Sequence, residues 1–144
     1  MANTFSTEAT SYLNTVPPVM VDAALAGGNL RRYRATVVMA AQASGDTITL
    51  FKVRRGIAFA FGIITASATL GATATIAIGI AGTTGKYRAA AIHTAVDTPT
   101  FFGIQSAVGA AATLTTDETI IITIAAAALP GAGSFNIDMF FSGT

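Results

Sequence analysis

The chain has 144 residues, eight basic and seven acidic side chains for a net charge of +1, and no cysteine. That length suffices for one domain with its own apolar core, and the absence of cysteine excludes a thiol nucleophile, a zinc ribbon and a disulfide framework. Only 10% of residues are charged, against roughly 25% in ordinary soluble domains, so the composition points to a surface that meets other protein, and the small net charge argues against long-range attraction to nucleic acid or acidic membranes.

Residues 1–29 differ from the rest. Pro17-Pro18 favours extended geometry and Gly27-Gly28 makes a hinge, while Phe5, Tyr12, Leu13, Val16, Val19, Met20 and Val21 recur at no steady period. The expectation is an extended N-terminal arm, ordered by lying on a partner through residues such as Phe5, Tyr12, Leu13 and Val19. This N-terminus is polar, without the basic start and apolar run of a signal peptide. Residues 30–144 read as a second unit, a β-sandwich.

From Leu30 the pattern is strand after strand. Tyr33 to Ala41 is followed by turn residues at Ala43-Ser44-Gly45-Asp46, and Thr47 to Val53 is expected to return as its hairpin partner. On that pairing Arg34 stands opposite Arg54, with Arg31, Arg32 and Arg55 at the same end. Like charges opposed on a sheet are destabilising, so Arg31, Arg32, Arg34, Arg54 and Arg55 form a candidate docking patch for acidic residues. Single-stranded nucleic acid is a poor fit, because no aromatic side chains interleave the arginines.

The stretch from Ile57 to Ala91 carries no charge between Arg55 and Lys86, yet it does not read as a membrane helix. Glycines and threonines interrupt it. Ile57, Phe59, Phe61 and Ile63 alternate with Ala58, Ala60 and Gly62, and Ile76, Ile78 and Ile80 with Ala77 and Gly79, the period of two that a strand imposes. Two or three strands are expected here, with a corner around Gly71 and a hairpin turn at Gly82-Thr83-Thr84-Gly85.

Lys86 to His93 is the next expected strand, then a loop stiffened by Asp97-Thr98-Pro99, a short strand from Phe101, and room for a short helix within 105–112. Asp117-Glu118 reads as an exposed turn before Thr119 to Ala127. The last strand, Ser134 to Ser142, places Phe135, Ile137, Met139 and Phe141 on one face and Asn136 and Asp138 on the other. About eight short strands with turn signals every ten residues or so indicate an all-β fold, an antiparallel jelly-roll-like sandwich with an extended arm.

Catalysis needs titratable groups held together, and few are available. His93 is the single histidine; it reads as a polar strand end, with no second histidine or cysteine to share a metal. The acids fall almost entirely in turns or the arm, and no glycine pattern leads from a strand into a phosphate-binding helix. No catalytic, cofactor-binding or metal site is expected, and no enzyme.

The order Gly45-Asp46-Thr47-Ile48-Thr49-Leu50-Phe51-Lys52, Thr69-Leu70-Gly71-Ala72-Thr73, Ile78-Gly79, Tyr87-Arg88-Ala89-Ala90-Ala91, Asp117-Glu118-Thr119-Ile120-Ile121 and Leu129-Pro130-Gly131-Ala132-Gly133 resembles the cement or decoration proteins of tailed-bacteriophage heads. The resemblance covers residues 44–143 and is one of pattern and turn order. It implies a virion protein, made in the host cytoplasm and carried on the outer capsid surface, that clamps neighbouring major capsid protein subunits and forms homo-oligomers, a dimer ahead of a trimer. Nucleic acid, membrane and cofactors have no part in that expectation. The alternative is a carbohydrate- or receptor-binding jelly roll such as a head-fibre or tail-fibre tip, disfavoured by the absence of Trp and the presence of only three Tyr.

Overall fold

The computed structural model describes residues 15–18, 20, 27–108 and 113–143. Phe5, Tyr12, Leu13 and Val19, expected to form the contacts of the arm, lie outside the described residues. The elements are β1 (Asn29–Val38), β2 (Thr47–Val53), β3 (Ala58–Ala66), β4 (Thr75–Ile80), β5 (Thr83–Ala91), β6 (Thr100–Phe102), a four-residue helix α1 (Gln105–Val108), β7 (Glu118–Ala125) and β8 (Ser134–Gly143). They build two four-stranded antiparallel sheets, ordered β1-β8-β3-β6 and β2-β7-β4-β5. That interleaved order is the jelly-roll arrangement, and the all-β expectation holds.

Inward-facing residues follow from the strand period. Phe135, Ile137, Met139 and Phe141 of β8 pack with Ile64 of β3 against Ile120, Ile122 and Ile124 of β7 and Ile76 and Ile78 of β4, each almost or fully buried. Burying such a side chain contributes about 1.5–3 kcal/mol relative to leaving it in water, so these facing rows hold the sheets together. At one end Phe59, Tyr87 and Phe141 meet edge to face, with ring centroids 4.7 Å apart for Phe59–Tyr87 and 5.5 Å for Phe59–Phe141.

Several local expectations are corrected. β1 and β2 are not a hairpin: β1 pairs with β8 and β2 with β7, in different sheets. The turn at 43–46 therefore carries the chain from one layer to the other, and Arg34 opposes Asp138, not Arg54. The β4–β5 hairpin exists, but Ile80 pairs with Thr83, so its tip is Ala81-Gly82 and Thr83 already belongs to β5. Glu118 is not in an exposed turn; it begins β7 and is buried. His93 is not a solvated strand end either, being 5% exposed just beyond β5.

The most consequential correction lies in β3. Phe59 pairs with Phe141 and Phe61 with Phe140, so Ala60 is the extra residue of a bulge. A bulge reverses which face the following residues take. Phe59 points into the core, whereas Phe61 and Ile63 turn to the outer face and Ile64 takes the inner position.

Candidate functional site

Three doublets in this sequence, Ile63-Ile64, Phe101-Phe102 and Phe140-Phe141, each place one bulky apolar side chain on either side of a strand. Their inner members, Ile64, Phe102 and Phe141, join or pack against the core. The outer members are brought together by register: Phe140 opposes Phe61, and Ile63 opposes Phe101. Phe61 stacks on Phe140 at 4.6 Å between centroids and lies 5.8 Å from Phe101. Phe101 is 70% exposed. A row of three phenylalanines thus crosses β8, β3 and β6 on the water-facing side of the β1-β8-β3-β6 sheet.

The same face carries a charged cluster. Arg32 opposes Phe140 and Arg34 opposes Asp138, which in turn opposes Ile63. Asp138 accepts from Arg32 Nε at 2.8 Å and Nη2 at 3.2 Å, and from Arg34 Nε at 2.8 Å and Nη2 at 2.7 Å. Two guanidinium forks share one carboxylate. The hydrogen bonds from Arg34, together with those from Arg32 and against the opposing effect of burial, hold the Asp138 carboxyl below the usual aspartate range. Both arginine side chains remain about half exposed, at 46% and 52%, while Asp138 is covered, so the cluster presents net positive charge outward. Beside it Thr36 Oγ1 donates to Asn136 Oδ1 at 2.6 Å.

The five arginines expected to crowd one strand end are therefore distributed. Arg32 and Arg34 share the outer face with Asp138, and Arg31, opposite Phe141, alternates to the other side of β1. Arg54 and Arg55 follow β2 in the other sheet. There Asp117 accepts from the backbone N–H of Arg55 at 3.0 Å and lies 3.4 Å from Lys52 Nζ. The fold answers the like-charge problem by separating the arginines between layers and supplying an acid to each group.

A second polar cluster is structural. Glu118 accepts from Tyr87 Oη at 2.6 Å and from Lys86 Nζ, and burial, reinforced by Glu118, keeps the Tyr87 phenol protonated far above its ordinary range. The cluster borders a cavity of about 210 Å³ that also touches Phe59, Ser106 and Thr115. His93 Nε2 is buried without a hydrogen-bond partner; burial first, and the nearby Arg88 charge second, lower its pKa. Among the described residues no three His, Asp or Glu side chains come together to hold a metal ion, and no helix is long and apolar enough to cross a membrane.

With this geometry the chain resembles chains from phage shells. One, in the capsid asymmetric unit of cyanophage Pam1, is 16% identical with a TM-score of 0.63, over 81% of this chain and 86% of that one. The similarity is one of fold. A chain of the Ralstonia phage GP4 capsid matches at 19% identity and a TM-score of 0.64 with the same coverage, 81% and 86%. A chain of the acid-stable capsid of Helicobacter pylori bacteriophage KHP30 matches at 11% identity and 0.56, over 80% and 89%. No protein-family model matches the chain, and no curated protein sequence does.

Proposed function

We propose that this chain is a structural virion protein, without enzymatic activity, that binds the outer surface of a phage capsid and cements neighbouring major capsid protein subunits non-covalently. The observation that carries the reading is the shared jelly roll: chains of phage capsids match it across four-fifths of its length and 86–89% of their own. The charge-poor composition supports the same reading. A cement protein needs only modest individual contacts, because simultaneous engagement of several shell subunits raises the effective concentration of each. Homo-oligomer formation on the shell fits the same logic.

The test is co-sedimentation of the purified chain with mature tailed-phage heads from the same source that lack it. Saturable binding at a fixed ratio to capsid protein is expected. A well-folded chain that stays in the supernatant at every head concentration would overturn the reading.

A further inference from the structure

The two outer faces of the sandwich are unlike. That of the β2-β7-β4-β5 sheet presents Thr47 and Thr49 from β2 and Thr119 with a half-buried Ile121 from β7, while Ala77 and Gly79 of β4 are buried and no aromatic side chain stands among them. That of the β1-β8-β3-β6 sheet presents Phe61, Phe101, Phe140 and Ile63 beside Arg32 and Arg34. Phenylalanine and arginine are enriched in protein interfaces, and arginine is common among the residues that dominate binding energy. An outward ring as exposed as Phe101 contributes little to the sandwich itself.

We propose that the outer face of the β1-β8-β3-β6 sheet is the surface that grips the shell, and that its partner is a capsid-protein segment presenting a carboxylate beside an apolar side chain. The carboxylate meets Arg32 and Arg34, whose two positive charges share the single carboxylate of Asp138 among the described residues. The apolar side chain lies against Phe101, Phe61 and Ile63. This inference rests on the capsid-binding reading and adds the face and the chemistry of the partner.

A second copy of this chain is the poorer occupant. Among the described acids, Asp138, Glu118, Asp117 and Asp46 already accept bonds within the chain, which leaves Asp97 alone of them to offer a free carboxylate to two guanidinium groups. The area points the same way. From strand spacing and rise, the patch from Arg32 to Phe101 spans about 14 Å across the four strands and about 7 Å along them between Cα positions, a footprint on the order of 100 Å², against roughly 800 Å² per partner in a stable pair. A contact of that size holds when it is repeated over a shell and fails as an isolated dimer.

The full chain is tested on mature heads that lack it, as unmodified protein, as Phe101→Asp, and as Thr49→Asp on the opposite sheet. Thermal melts establish that both variants fold; a photoreactive benzoylphenylalanine at position 101 identifies what touches the face. Phe101→Asp is expected to weaken head binding about tenfold or more and Thr49→Asp to leave it unchanged, with cross-links running from position 101 to capsid protein. If the Phe101 variant binds like the unmodified chain, this inference falls and the cement reading stands. Cross-links to a second copy in place of the capsid protein would overturn the chosen partner. Failure of the unmodified chain to bind heads would remove the cement reading, and this inference with it.

Discussion

Asp138 concentrates several consequences in one side chain. It neutralises half of the charge of Arg32 and Arg34 while lying between β1 and β3, so its removal leaves two guanidinium groups facing each other without an intervening acid. Replacing Asp138 with Asn is expected to cost about 2 kcal/mol at pH 7, measurable as a fall in the urea midpoint. Because its native pKa lies below that of the unfolded chain, the stabilisation is complete above an unfolded value of about 3.9 and is lost as pH falls through the lower native value. Asp138→Asn should therefore flatten the acid limb of stability below about pH 4. His93 produces a separate limb at higher pH. Buried beside Arg88, its ring prefers to stay neutral, with a pKa below the ordinary 6.5. Protons then favour the unfolded chain, and stability declines as pH drops from 6.5 towards the native value. His93→Gln should remove that slope from a series of melts between pH 7 and 5; an unchanged slope would assign it to another group.

Strands β3 and β4 show what glycine and bulges contribute at the level of an element. A Cβ added to Gly79 would stand 2.2 Å from the Thr83 carbonyl oxygen, so β5 could not approach β4 as it does, and at Gly62 the obstruction would be the Phe102 ring at 2.1 Å. Backbone cannot move aside as a side chain can. Gly79→Ala is expected to cost about 3 kcal/mol, Gly62→Ala less if the Phe102 ring shifts, and Gly131→Ala, with nothing within 4 Å of its Cβ, close to nothing; chemical denaturation of the three variants orders them. The strands themselves were legible because alternation is written residue by residue, as in Phe135 to Phe141. The bulge at Ala60 was not, since a bulge shows as a break in phase only once the partner strand is known. The doublets Ile63-Ile64, Phe101-Phe102 and Phe140-Phe141 were a visible signal that some bulky residues must face outward, and treating Phe61 and Ile63 as continuing the face of Phe59 concealed the aromatic row.

For the molecule as a whole, sequence indicated the layers and strand number but not which strands are neighbours. Gly45-Asp46 between two apolar runs is an ordinary hairpin signal, yet in this topology the same residues lead from one sheet to the other, because β8 occupies the place beside β1 that β2 was expected to fill. Pairing depends on strands more than 100 positions apart, such as Arg34 with Asp138, and local pattern does not encode that distance. The cluster of arginines was visible in the sequence, but the acid that Arg32 and Arg34 share could be identified only after β8 was placed. On the proposed capsid-binding reading, removal of residues 1–26, which precede β1, is expected to weaken attachment to heads; binding that survived intact would assign attachment to the sandwich alone. Finally, Asn29 and Gly143 are register partners at the same end of paired strands. Tension applied between those two positions would part β1 from β8 as a zip opens, one bond after another, whereas a load between residues 29 and 134 would strain the whole ladder at once. The direction of pull, rather than the number of bonds, would then decide how much force this sandwich withstands.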